Sequence, residues 1–449
     1  MTVGVVLFTR DLRVHDNPAL WHAVREHEQV LPVFVLDDEI RSSRFNRPNR
    51  AAFLADCLRD LDGSLRSRGA ALVVRRGDVV AETARLAEQV GARAVHLAGD
   101  VSRYAQRRER HLAHALTCEL VVHEDALFAV PPGRIRPSGG GAHMSVFSAY
   151  YRRWLVESRR APLPAPRVVE LPKGSPAGRL PSARSICPGP TAPRLPPGGE
   201  SAGRSRLSRW LRTDAGRYDQ VHDDLAADAT SRLSPYLHFG CLSPVDVLAR
   251  SGTTAGFARQ LAWRDFHAQV LAARSDASTR DLRPREDHWR NAPAEFAAWQ
   301  QGRTGIPVVD AGMRQLADEG WLHNRARLLV AHFLTKTLYL DWRLGAAHFA
   351  DQLVDGDVAN NSLNWQWVAG TGTDSRYNRV YNISAQGRRY DPDGAYVRRH
   401  VPELGEIPGA AVHEPWLLPA RWRAALDYPD PIVDVAEGNA RFLRARGKR

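Results

Sequence analysis

The sequence predicts an α/β unit built on a doubly wound parallel sheet, followed by a long linker and an all-α unit. Three observations carry this. Short apolar runs alternate with amphipathic stretches over roughly the first 125 residues. Residues 161–205 are too rich in Pro, Gly, Ser and Arg for a regular helix or strand. Beyond about residue 205 the strand patterns stop and helical periodicity takes over.

The apolar runs at 3–8, 30–36, 71–74, 94–98 and 119–123 read as buried strands. Between them, Val79, Val80, Thr83, Leu86, Ala87 and Val90 recur at helical spacing, as do apolar residues in 51–65 and 105–116. No GxGxxG follows the first strand, which argues against a standard dinucleotide-binding unit. Residues 1–130 are expected to form the α/β domain, 131–204 the linker and 205–449 the helical domain. The proline-rich stretch is either a disordered insertion or a linker packed on the surface. Helices are expected at 244–251, 254–273, 294–301, 308–319, 324–339 and 342–353.

With 449 residues, 43% hydrophobic and 25% charged, the chain is globular in composition and long enough for large cores. Cys57, Cys118, Cys187 and Cys241 lie far apart, with no CxxC and no Cys/His cluster. A reducing compartment and no metal site are expected. No apolar run reaches about 18 residues, so no membrane helix is expected. The N-terminal stretch lacks the marks of a secretory signal. The net charge is +12, and only three of the 62 cations are lysines. Guanidinium groups pair with phosphate oxygens, so a nucleic-acid partner is plausible.

Four segments of the helical half stand out. In Thr230-Ser231-Arg232-Leu233-Ser234-Pro235, hydroxyls surround an arginine ahead of a helix. That suits phosphate binding, or an ordinary N-cap with a surface arginine. Gln260, Trp263, Arg264 and His267 share one helical face, suited to a stacked, hydrogen-bonded base or to a core tryptophan beside a helix salt bridge. Asn324, Arg327 and Leu328 share another face in the segment opened by Trp321, while Arg325 points elsewhere. Residues 355–367 hold two carboxylates, three asparagines and two tryptophans. The Asp355-Gly356-Asp357 start lacks the glutamate a calcium loop needs. So dense a polar run among helices suits a site for a multifunctional planar ligand.

These segments, with the N-terminal LFTRDLRVHDNPAL, resemble the DNA photolyase/cryptochrome family. TSRLSP, WRDF, the Trp-x-His-Asn-Arg segment and DGD…NN…WQW occur in the family's order and spacing, closest to the class I cyclobutane pyrimidine dimer photolyases. The resemblance implies an N-terminal antenna domain and a C-terminal helical domain that holds FAD, used as FADH−. It places Tyr218, Thr230, Ser231, Arg232, Leu233 and Ser234 at the FAD phosphates. Arg264, Asn324, Arg327, Asp355, Gly356, Asp357 and Asn361 surround the ring and sugar, with Arg327 and Asp355 paired. Trp263 and Trp367 become stacking walls for a flipped dimer. Gln260, His267, Asn324, Arg325 and Leu328 complete the lesion-binding set. Trp365, Trp342 and Trp289 match the family's electron-transfer triad.

The implied activity is a deoxyribodipyrimidine photo-lyase, a carbon–carbon lyase that uses blue light to repair cyclobutane pyrimidine dimers in damaged DNA. A monomer in the cytoplasm, associated with the nucleoid, is expected. The alternative is a cryptochrome-type photoreceptor without repair, for which a C-terminal extension would be expected. Asn361 stands where plant cryptochromes carry Asp, which favours the photolyase side. Gln260 replaces a common Glu, Leu328 a common Met, and His222 an arginine that touches DNA in relatives. Trp263 stands where the DASH cryptochromes typically have Tyr. Asp100, Arg103, Tyr104 and the arginine-bearing loop 41–50 resemble relatives whose antenna is 8-hydroxydeazaflavin. Methenyltetrahydrofolate is the alternative.

Overall fold

A computed structural model describes residues 1–175, 178–252 and 255–447. The chain divides into two compact units. The first comprises Met1–Thr191, Pro196–Gly216 and Ser231–Ser275; the second comprises Ala192–Leu195, Arg217–Thr230 and Asp276–Arg449. Helices of eight or more residues are numbered in chain order below.

In the first unit, β1 (Val3–Phe8), β2 (Gln29–Asp37), β3 (Val73–Gly77), β4 (Ala94–Ala98) and β5 (Glu119–His123) form one sheet in the order β3-β2-β1-β4-β5. Every pairing is parallel, with Val6 of β1 opposite both Pro32 and His96. All six residues of β1 are buried, as expected of a central parallel strand covered on both faces. The first four numbered helices are α1 (Pro18–Glu26), α2 (Pro48–Arg66), α3 (Val79–Gln89) and α4 (Arg103–Ala115). The third strand starts two residues and ends three residues later than its apolar run, and it runs on through Arg75, Arg76 and Gly77. Helix α1 was not expected. Its start signal is nevertheless readable: Asn17 accepts from the Leu20 amide at 3.0 Å, and Pro18 occupies the first turn.

The same unit continues through α5 (Phe147–Val156), α6 (Glu200–Thr213), α7 (Pro244–Ser251) and α8 (Ala255–Ala273). The Thr254 start expected for the last helix lies outside the described residues. The compact grouping thus departs from the expected domain boundaries. Part of 131–204 is the regular helix α5, and Ile186 is buried against Ala51 and Ala55 of α2. Polar contacts explain the grouping. The Arg13 guanidinium, 1% exposed, donates to the carbonyls of Asp16, Ala126 and Gly240 at 2.7–3.0 Å. Glu200 of α6 accepts from the amides of Val14 and His15 at 2.7 and 3.1 Å.

The second unit packs α9 (Pro293–Gln301), α10 (Pro307–Glu319), α11 (Asn324–His332), α12 (Trp342–Gln352), α13 (Val358–Ala369), α14 (Ile383–Tyr390) and α15 (Val435–Ala445). Its core gathers Trp299, Phe333, Trp342, Phe349 and Trp365. The helix expected over 324–339 is α-helical only to His332. A π-helical turn follows over Phe333–Thr337, closed by Leu338 N–H donating to the Phe333 carbonyl at 2.8 Å.

Asp265 of α8, 1% exposed, accepts from the Val130 amide and from Trp154 Nε1, both at 2.9 Å. Its Oδ1 has no hydrogen-bond partner among the described residues. Burial pushes its carboxyl up from 3.8 to about 6, against the opposing pull of Arg264. Because the folded value lies above the unfolded one, this group's stability contribution is complete below about pH 4. It is lost as pH rises through 6, by an amount on the order of 2–3 kcal/mol. Asp265→Asn keeps one accepting oxygen and removes the charge. Urea midpoints measured from pH 4 to 7 should show a smaller decline with rising pH in the variant than in the wild type.

Candidate functional site

In the second unit the segment 355–367 folds as a tight turn leading into α13. The Asp357 amide donates to the Asp355 carbonyl at 2.6 Å, and the Asp357 carboxylate caps α13 by accepting from the Asn360 amide and Nδ2, both at 2.8 Å. Gly356 sits buried between the two carboxylates. Asp355 accepts twice from Arg327 Nη2, at 2.8 and 3.1 Å, while Arg327 Nε donates to the Leu322 carbonyl. The pairing expected of these two residues is therefore present. The Asp355 side chain is almost wholly withdrawn from water. Asn361 donates Nδ2 to the Ala346 carbonyl at 2.9 Å, so the function it can offer a ligand is the Oδ1 acceptor. Asn324 opens α11 and is exposed.

Tyr218 is buried and stacks on His222 with ring centroids 5.2 Å apart. The Thr230 Oγ1 is buried with no hydrogen-bond partner among the described residues. Such an atom is costly without a ligand. In the first unit, Ser231 is buried and its carbonyl accepts from Arg206 Nε at 2.8 Å. Arg232 holds a left-handed backbone at φ 50°, uncommon for a residue with a side chain and frequent where function demands it. Leu233 is buried and Ser234 exposed.

Leu328 and Trp367, expected at the lesion, line one small cavity in the second unit. The same cavity is lined by His332, Lys336, Val368, Asp374, Arg379 and Tyr381, none of which sequence reading selected. Lys336 carried a signal, a lone lysine in the apolar run Phe333-Leu334-Thr335-Lys336. Its ammonium donates to the carbonyls of Tyr377 and Arg379 at 3.0 and 2.6 Å, and burial pushes its pKa down to about 7. Arg325 already has a partner. It donates to both oxygens of Asp223, at 3.1 and 2.5 Å, and lies 4.3 Å over the Tyr390 ring. A phosphate would have to compete with that carboxylate.

In the first unit, Gln260 and Trp263 are partly exposed on α8, and Trp263 stacks on Phe147 with centroids 3.6 Å apart and planes 6° from parallel. Arg264 donates to the carbonyls of Leu127 and Leu237. His267, expected in the lesion-binding set, lies deeper on the same helix. The residue is 1% exposed and packs against Trp263 and Phe266, because α8 is buried around most of its circumference at that turn. Its ring centroid lies 5.5 Å from that of Trp263.

Trp365 and Trp342 are buried in the core of the second unit at 2% and 1% exposure, and Trp289 packs on that core partly exposed. Trp342 Nε1 donates to Asp281 at 2.8 Å, and Trp289 lies 5.0 Å from Tyr339 by ring centroids. Gly345 makes room for Trp365, since a Cβ there would stand 2.1 Å from Trp365 Cη2. Gly345→Ala should cost about 1–3 kcal/mol through this overlap. Thermal unfolding should register the loss, and near-UV circular dichroism should report the displaced indole.

Known proteins match the chain along both units. Residues 4–167 match the DNA photolyase family model, and residues 257–448 match the FAD binding domain of DNA photolyase. The chain is 56% identical over 455 residues to a deoxyribodipyrimidine photo-lyase of Streptomyces griseus, covering 100% of both. A bacterial class III photolyase from Agrobacterium tumefaciens superposes with a TM-score of 0.91 at 31% identity, covering 100% of this chain and 97% of that one. An archaeal photolyase from Sulfolobus tokodaii, solved with two FAD molecules, superposes with a TM-score of 0.86 at 28% identity, covering 99% and 100%. The conserved layout of two matched models over one chain, joined to full-length relatives, places the protein in the DNA photolyase family.

Proposed function

We propose that the protein is a light-driven carbon–carbon lyase that repairs cyclobutane pyrimidine dimers in DNA. The observation that carries this reading is Asn361. Held by the Ala346 carbonyl, it offers a neutral acceptor in the first turns of α13, the helix that follows Asp355. The residues present fit FAD. The orphaned Thr230 Oγ1 and the left-handed Arg232 suit its phosphates, and the buried Asp355 carboxylate with its Arg327 partner suits its imide. Tyr218, Ser231, Leu233, Ser234, Arg264, Asn324, Gly356 and Asp357 are proposed as its further contacts.

Bound FAD, as FADH−, supplies a photoexcited one-electron donor. Asp355 would accept from an imide N–H, and Arg327 fixes the direction of that carboxylate through its two hydrogen bonds. Trp365, Trp342 and Trp289 form a relay whose outer member meets solvent and can be reduced there. On the lesion side, Trp263 is stiffened by Phe147 and offers an aromatic wall, while Gln260 supplies an amide donor at every pH. Trp367 and Leu328 supply apolar surface, and base–aromatic stacking returns about 1–3 kcal/mol per base. The excess of arginine supplies salt-dependent affinity for phosphates. A monomer acting in the cytoplasm on nucleoid DNA completes the reading.

For the antenna, 8-hydroxydeazaflavin in the first unit is proposed, with methenyltetrahydrofolate as the alternative. The support is the chemistry of loop 41–50 and of Asp100 and Tyr104. Chromatography of the released chromophores separates the two, and also detects a second FAD.

The decisive experiment illuminates the reconstituted protein with blue light on dimer-bearing DNA and counts dimers. Light-dependent loss of dimers is expected. Flavin photoreduction without repair would instead favour the photoreceptor. Asp355→Ala should release FAD more readily, because the buried acceptor proposed for its imide is removed and the half-buried Arg327 loses its partner; the flavin-to-protein absorbance ratio after gel filtration reads this. Trp289→Phe should slow photoreduction of the oxidised protein yet leave repair by chemically reduced protein intact. Transient absorption and dimer counting measure the two separately.

A further inference from the structure

We propose that the α/β unit binds a divalent transition-metal ion of the zinc type through His27, His96 and Glu26. No residue of this set belongs to the flavin, tryptophan or lesion groups. The sequence expectation of no metal rested on the absence of clustered ligands. The fold creates the cluster by bringing together two histidines 69 positions apart.

His96 lies in the middle of β4 and is fully buried. Its Nε2 stands 3.2 Å from Nε2 of His27, which directly follows α1. Glu26, the last residue of α1, places Oε2 3.9 Å from the same His96 nitrogen. One donor atom from each of the three residues falls within 4.8 Å of the others. Tetrahedral zinc with bonds of about 2.0–2.1 Å separates its nitrogen ligands by roughly 3.3–3.4 Å. The His27–His96 spacing is therefore close to that of two ligands already in place.

The surroundings match those of a built site. His96 Nδ1 faces His123 Nε2 at 3.2 Å; with the proton on Nδ1, this outer hydrogen bond leaves His96 Nε2 free to ligate. His22 Nδ1 holds Glu26 Oε1 at 3.1 Å, which leaves Oε2 on the His96 side. Gly4 of β1 gives the His27 ring its space, since a Cβ there would stand 2.4 Å from His27 Cδ2. Two imidazoles and a carboxylate suit zinc, cobalt, nickel or copper rather than calcium or magnesium. Three protein ligands leave a fourth position for water. The ion would tie the C-terminal end of α1 to β4.

The test uses the flavin-loaded protein after treatment with a chelator. Zinc is titrated by calorimetry, and cobalt by its visible ligand-field absorption. One equivalent bound and a raised melting temperature are expected. His27→Gln, at a half-buried position, and Glu26→Gln, at an exposed one, should each weaken affinity at least tenfold. His111→Gln with His114→Gln, on the exposed face of α4, should leave it unchanged. Absence of binding by the wild type overturns the proposal. Equal affinity in His27→Gln and the wild type also overturns it, by assigning the ion to other surface histidines.

Discussion

The α/β unit is organised around a cation taken out of water. Arg13 has almost no exposed surface, and its guanidinium is satisfied by backbone carbonyls at Asp16, Ala126 and Gly240. Desolvating a guanidinium costs several kcal/mol unless its donors are matched. The loop after β1, the stretch after β5 and the turn before α7 must therefore keep their carbonyls in place. Asp11, Asp16 and Glu200 supply the counter-charge, while burial itself lowers the Arg13 pKa. Glu200 serves twice, since it also accepts from the amides of Val14 and His15. Residues far apart in sequence are thereby made one folding unit, which is why the proline-rich stretch between them runs along the surface of α2 rather than free.

Much of the fold was legible in the sequence for a simple reason. Strands covered on both faces leave continuous apolar runs, and four of the five strands were found to within one residue at either end. The third slipped because its second half is Arg75-Arg76-Gly77, residues that read as surface. The π-helical turn was invisible. Phe333–Thr337 is compatible with an ordinary helix, and only the hydrogen-bond spacing distinguishes the two. At the site, residue types were legible and partnerships were not. Arg327 and Asp355 could be matched through family resemblance. The Arg325–Asp223 pair joins positions 102 residues apart and carries no local signature. His267 shares a helical face with Trp263, and its burial at that turn of α8 carries no signature in the sequence.

The second unit shows how charge is kept useful once buried. Asp355 and Arg327 neutralise each other, yet the pair remains polar and directional. Asp357 spends its carboxylate on the first turn of α13, where the helix end favours an anion. The tryptophans follow a different rule. Trp365 and Trp342 are packed too tightly to reorient, and Trp289 sits where the core meets solvent. A path for charge needs fixed distances inside and an exchangeable end outside, and burial supplies both.

The π-helical turn has a geometric consequence. Leu328, His332 and Lys336 line one cavity, each four residues after the last. Four residues of α-helix overshoot a full turn by about 40°. With i→i+5 bonding, at roughly 4.4 residues per turn, four residues fall about 30° short. The two errors nearly cancel, and Lys336 returns to the azimuth of Leu328. A continuous α-helix would carry the ammonium about 80° around the axis, away from the carbonyls of Tyr377 and Arg379. The position of this cation is thus set by a miscount in the backbone ladder, and relatives could re-aim it by inserting or deleting a single residue anywhere in that turn.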